Sequence, residues 1–132
     1  MHISLFYKKL TSLALLLFLL VSCSAEPKNA KDFTLQSING PVSLHDYGDK
    51  TVLLFFGYTH CPDICPATMN NVATALRSMK ADAAKVQVLF VTVDPERDTA
   101  EHLAKYVAFF HPNIIGLTGS AEQIKSAAGA YD

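Results

Sequence analysis

No lysine- or arginine-rich run occurs in the chain, its acidic residues are scattered, and the formal net charge is −1. That balance excludes the basic face a nucleic-acid partner requires. The chain also lacks an apolar stretch of spanning length. Its longest, Leu10 to Val21, is about a dozen residues, against the about 20 that a transmembrane helix needs. Internal repeats and low-complexity tracts are absent, and 132 residues give room for one domain of ordinary size. Cysteine is scarce, at three residues, which excludes a disulfide-rich scaffold.

The apolar content of 50% is inflated by the first twenty-odd residues. Lys8 and Lys9 precede the Leu10–Val21 run as a short basic region, the pattern of an export signal. The run closes in Leu20-Val21-Ser22-Cys23, which resembles a bacterial lipobox, the alternatives being an ordinary signal peptide or an uncleaved anchor. The expected organisation is a lipoprotein signal at 1–22, a tether at 23–31 opening on a lipid-modified Cys23, and one domain at 32–132. Ser24 to Lys31 is small and polar with one proline, as a tether should be. Without the signal the chain holds nine basic and twelve acidic residues, so attachment to a membrane would depend on the lipid. The expected location is the cell envelope, facing the periplasm, where disulfides persist.

With Cys23 so assigned, the two remaining cysteines fall in one stretch, Thr51 to Met69 (TVLLFFGYTHCPDICPATM). Val52 to Phe56 reads as a buried strand, Gly57 permits a turn, and helical spacing begins after Cys65. Cys61 and Cys65 therefore belong to a strand-to-helix turn at the carboxyl end of a core strand, where open α/β sheets place their chemistry. Asp63 is a candidate cap for the helix, and Pro66 is tolerated in its first turn. The positive end of the helix dipole favours thiolate at both sulfurs. Four residues of helix span about 6 Å, which suits either a disulfide or two thiolates gripping one soft metal ion.

Around this stretch the chain alternates strand and helix. Phe33–Gln36 and Val42–Leu44, separated by Asn39-Gly40, predict a small hairpin. The helix after Cys65 carries Met69, Val72, Ala73, Leu76 and Met79 on one face. Val86 to Val93 reads as a second strand buried on both faces. Asp94 to Thr99 is a charged turn in which Glu96, Arg97 and Asp98 are expected to be solvated and self-paired. A helix from about Thr99 to Phe110 turns Leu103, Val107 and Phe110 inward, His111-Pro112-Asn113 breaks it, and Ile114 to Leu117 is a short strand. Ser120 to Gln123 is a capping signal for a last helix to Ala130. The class is α/β with a largely parallel sheet. His60 beside Cys61 invites a ligand role, but adjacent residues on a turn usually diverge. His102 reads as a solvated helix residue, His111 as a helix-ending loop residue, His45 as part of the turn after the hairpin, and Met69 and Met79 as core filling.

FFGYTHCPDICPATM, then VLFVTVDPERDT, then LTGSAEQI closely resemble the Sco family, over about Phe33 to Asp132. These are thioredoxin-like, membrane-tethered copper proteins associated with assembly of the copper site of cytochrome c oxidase. The resemblance implies that Cys61 and Cys65 bind Cu(I) or Cu(II) and can also be oxidised to a disulfide. It further implies copper as cofactor and, as partner, the copper-site subunit of cytochrome c oxidase or another copper acceptor. Asp63 and Asp94 match motif positions, and no side chain is assigned a catalytic role. The family's third ligand is a histidine in a segment resembling V-D-H-S, and the sequence stops at Ala130-Tyr131-Asp132 before any such segment. The expected fold is thus thioredoxin-like with an N-terminal β-hairpin, the closing hairpin and final helix missing and one side of the Val52–Phe56 strand bare.

Three functions compete. Copper delivery uses two thiolates that select soft Cu(I). An exported thiol-disulfide oxidoreductase without a metal role would use the same pair as attacking and resolving thiols. A thiol peroxidase is disfavoured, because prolines follow both cysteines and both lie within about one helical turn.

Overall fold

The computed structural model describes residues 31–131. The segments expected to be a signal at 1–22 and a tether opening on Cys23 lie outside the described residues up to Ala30, as does Asp132. No helix among the described residues is long and apolar enough to cross a membrane.

The predicted hairpin forms from β1 (Thr34–Ser37) and β2 (Gly40–Ser43), paired antiparallel from Thr34 opposite Ser43 to Ser37 opposite Gly40. Alternation turns Leu35 and Val42 inward, and they face each other across the ladder. The three strands β3 (Thr51–Gly57), β4 (Val86–Thr92) and β5 (Ile114–Leu117) form a second, parallel sheet in the order β3-β4-β5. Helix α1 (Ile64–Met79) connects β3 to β4, α2 (Ala100–Ala108) connects β4 to β5, and α3 (Ala121–Gly129) follows β5. Parallel neighbours require such crossovers.

β4 is central and dry on both faces. Val88, Leu89, Phe90 and Val91 are each fully buried, as the unbroken apolar run predicts. Val88 and Phe90 pack with Met69 and Leu76 of α1 and with Leu103 and Val107 of α2. Leu89 and Val91 pack on the opposite face with Leu35, Val42, Leu117, Ile124 and Ala127. The hairpin and α3 thus cover one side of the sheet, and α1 and α2 cover the other. A two-residue bridge fastens the hairpin to the end of β5: Gln36 and Thr118 exchange backbone hydrogen bonds of 2.8 Å in both directions.

β3 pairs with β4 along its full length, Thr51 with Val86 through Gly57 with Thr92, and has no strand on its other side among the described residues. This is the bare edge expected. Ser120 and Gln123 form the predicted capping box of α3, the side-chain oxygen of each accepting from the other's backbone N–H. Two expectations fail. Val52 to Phe56, read as a buried strand, is nowhere fully buried, and Leu53 is 42% exposed, because β3 is an edge strand among the described residues. Met79 is 39% exposed, because α1 ends there and Lys80, at φ 52°, turns the chain out into the 3-10 stretch Lys80–Lys85.

α2 approaches β5 closely through Gly116. A Cβ there would stand 2.7 Å from the Cβ of Leu103, which is fully buried. Gly116→Ala should force the helix off the strand and destabilise the protein by about 1–3 kcal/mol, the usual cost of overpacking. Urea unfolding of the two proteins checks this.

Candidate thiol and metal site

The parallel sheet delivers the ends of β3 and β4 side by side, and the candidate site is built there. Gly57 accepts the Val93 N–H through its carbonyl at 2.8 Å, closing the last rung. A Cβ on Gly57 would lie 2.5 Å from the Phe55 ring, 3.1 Å from the Cys65 sulfur and 3.2 Å from the Phe90 ring. Glycine is what allows the Cys65 sulfur to settle on the end of the strand. Tyr58 then begins a turn in which the Cys61 N–H donates to its carbonyl at 3.3 Å, and α1 starts at Ile64.

Both cysteines are free thiols in unlike surroundings, Cys61 partly exposed and Cys65 buried. The Cys65 N–H, then the Asp63 N–H and the Cys65 side chain, donate toward the Cys61 sulfur, with the Ile64 N–H adding to them, and they lower its pKa to about 7. Burial pushes the Cys65 thiol up, and the neighbouring Cys61 sulfur adds to the rise, while the Tyr58 N–H opposes it. The pair is therefore polarised into one thiolate near neutral pH and one protonated, protected thiol.

The same N–H groups explain a correction to the sequence reading. Asp63 occupies the N-cap position of α1, but its side chain makes no capping hydrogen bond. The unpaired donors of the first turn are directed at the Cys61 sulfur instead, which takes the place a capping carboxylate would fill. Tyr106 of α2 was not marked by the sequence. Its hydroxyl is buried without a partner, and burial together with the two sulfurs raises its pKa.

A second correction concerns the charged turn after β4. Arg97 pairs with Asp94 through both Nε and a terminal nitrogen, as a self-paired turn should. Asp98, expected to be solvated, is fully buried. Its carboxylate accepts from the Thr59 N–H at 3.0 Å, the Thr59 hydroxyl at 2.5 Å and the Thr92 hydroxyl at 2.7 Å. Burial raises the Asp98 pKa, but the hydrogen bonds from Thr59 and Thr92 outweigh it and hold the carboxyl below its usual value. Asp98 thus ties the turn ahead of Cys61 to the end of β4. Spacing alone did not mark it, because an acidic residue in a run of charges reads as surface.

The histidines divide. His111 ends α2 as predicted, its Nδ1 accepting from the Asn113 N–H at 3.1 Å. His45 pairs with Asp32. His60 and His102, remote in sequence, are brought together over Asp98. Among the described residues no three His, Cys, Asp or Glu side chains are grouped to hold a metal ion. The donor set at the cysteines fits a soft ion held by two sulfurs.

Alkylation by iodoacetamide should begin at Cys61 and accelerate as pH rises through about 7, where its thiolate forms, while Cys65 reacts only at higher pH. Peptide mapping across a pH series measures both. Asp98→Ala should cost about 1–3 kcal/mol for the buried Thr92 hydroxyl left unpaired, and less for the half-buried donors of Thr59, read by chemical denaturation.

The SCO1/SenC family profile matches residues 22–132. The bovine mitochondrial SCO2 homolog is 48% identical over 103 residues, covering 76% of this chain and 39% of that protein. A SCO2-like protein of Rickettsia conorii is 37% identical over 101 residues, covering 76% of this chain and 49% of its own length. The chain thus spans half or less of these relatives. Among solved structures, Bradyrhizobium japonicum ScoI with copper bound superposes with a TM-score of 0.73 at 40% identity, covering 77% of this chain and 66% of that one. Yeast Sco1 with copper bound gives 0.72 at 32% identity, covering 81% and 69%. The thioredoxin-like fold with its N-terminal hairpin is shared with these neighbours, and by profile, sequence and structure together the chain belongs to the SCO1/SenC family.

Proposed function

We propose that this chain is an exported, lipid-tethered copper protein in which Cys61 and Cys65 hold copper and pass it to the copper site of cytochrome c oxidase or to another acceptor. The observation that carries the reading is the polarised cysteine pair, Cys61 on the turn after β3 and Cys65 on the first turn of α1. Two sulfurs of one strand-to-helix turn are a soft donor set that selects Cu(I) over harder ions. The exposed, low-pKa sulfur of Cys61 is the one accessible to an incoming ligand, and ligand exchange at that sulfur would move the ion to a partner. Relatives solved with copper bound support the choice of metal. A relative from Bacillus anthracis described as a family lipoprotein, 27% identical with a TM-score of 0.68, supports the tether.

The same asymmetry favours a second reading, a thiol-disulfide oxidoreductase that keeps the acceptor's cysteines reduced. Cys61 would attack a partner disulfide as thiolate, and Cys65, as the buried thiol, would resolve the mixed disulfide. The protein leaves oxidised, with a Cys61–Cys65 disulfide, and the partner leaves with two thiols.

Cu(I) titration of the reduced protein should produce an ultraviolet copper–thiolate band that disappears in Cys61→Ser and in Cys65→Ser. Equal copper binding without either sulfur would overturn the site. Rapid exchange of the metal-free protein with a model disulfide would favour the oxidoreductase. Labelled palmitate should enter the wild-type chain expressed in a bacterium and be lost in Cys23→Ser, and label persisting in that variant would remove the tether from the proposal.

A further inference from the structure

Beside the sulfur pair lies a second arrangement of ligand-type side chains that the cysteine chemistry does not use. His60, on the turn before Cys61, and His102, on the first turn of α2, place their rings 5.6 Å apart at 77°. Both hold Nδ1 3.8 Å from Oδ1 of the buried Asp98 carboxylate, beyond hydrogen-bond distance. Their protonation can be read from what those nitrogens meet. The Thr59 hydroxyl gives its hydrogen to Asp98, so toward His60 Nδ1, 3.1 Å away, it acts as acceptor and Nδ1 carries the proton. The nearest acceptor to His102 Nδ1 is the Arg97 carbonyl at 3.4 Å, which again places the proton on Nδ1. In both rings the Nε2 lone pair is left bare, and neither Nε2 has a hydrogen-bond partner among the described residues. Both side chains remain open to solvent, 47% and 44% exposed.

Oxygen partners on Nδ1 fix tautomer and ring direction and leave Nε2 free in front, as in imidazoles oriented for metal binding, and Asp98 acts behind them by holding Thr59. The ring separation also fits. With metal–nitrogen bonds of about 2.0 Å, each ring centroid stands about 3.2 Å from a shared ion, so a 5.6 Å separation lies within reach of one ion once both exposed rings turn Nε2 to it. We infer that His60 and His102 form a two-imidazole site for a divalent ion of the Cu(II) type, with Asp98 as the positioning carboxylate and water completing the coordination. Imidazole nitrogen suits oxidised copper and thiolate sulfur suits the reduced ion. The two sites therefore differ in the oxidation state they accept, and they are linked through the adjacent residues His60 and Cys61. The imidazole site is independent of the sulfur pair, so either can fail while the other stands.

The test uses the full chain carrying Cys23→Ser, Cys61→Ser and Cys65→Ser, which removes every thiol and its reducing power, with Cu(II) as the only probe. Electron paramagnetic resonance should show a single copper with superhyperfine coupling to two imidazole nitrogens. Adding His102→Gln, at an exposed position, should weaken binding by at least about tenfold and remove one nitrogen from the spectrum, and His60→Gln should do the same. Asp98→Asn should weaken binding about 10–100-fold while both rings remain, the usual effect of removing such a carboxylate. His111→Gln should change nothing. Cu(II) binding that is indifferent to His102→Gln and His60→Gln, or a spectrum without imidazole nitrogen, would overturn the proposal. Circular dichroism of each variant separates loss of ligand from loss of fold.

Discussion

Everything in this protein hangs on β4 being dry on both faces. Val88 and Phe90 bury one way, Leu89 and Val91 the other, and each large side chain removed from water contributes about 1.5–3 kcal/mol. A strand so buried must be covered twice. The helices before and after it supply one cover, while the hairpin and α3 supply the second. The crossovers needed to keep the strands parallel then bring the carboxyl ends of β3 and β4 together at one edge of the sheet. The cysteine turn and the charged turn both leave from that edge, which is why residues almost forty positions apart meet there.

The meeting is secured by Asp98. A carboxylate excluded from water must find donors, and it finds them in the Thr59 N–H and hydroxyl on one turn and in the Thr92 hydroxyl on the end of β4. Breaking the arrangement would strand those groups in the dark, so the two turns are fixed relative to each other. Cys61 follows Thr59 by two residues and inherits that rigidity. The chemical asymmetry of the thiols has the same geometric origin. Gly57 lets the Cys65 sulfur settle on the end of β3, out of water, while N–H groups at the start of α1 stabilise the Cys61 sulfur.

Copper and thiol exchange make different demands on this turn, and the same features serve both. A metal carrier needs two sulfurs held close and at least one accessible. A disulfide exchanger needs one thiolate near neutral pH and a protected partner. Stabilising the Cys61 anion with backbone donors meets the second need, and it also removes the proton that a metal would otherwise have to displace.

The alternation of apolar strand and amphipathic helix was enough to give the α/β class, the hairpin, the order of elements and the placement of Cys61 and Cys65, because periodicity and turn residues are local properties. The same holds for the capping box at Ser120 and Gln123, whose partners lie three residues apart. Position along the chain could not reveal that Asp98 is buried, since charge is visible in a sequence and solvent is not. Nor could it show that first-turn donors would serve a sulfur in place of Asp63, or that Met79 would turn outward where α1 stops. The approach of His102 to His60 and the unpaired hydroxyl of Tyr106 likewise depend on where α2 docks, through Gly116 and Leu103, onto β5. Those facts belong to tertiary structure for one physical reason: burial and hydrogen bonding between distant residues are decided by how layers pack, and packing couples parts of the chain that carry no local signal of one another.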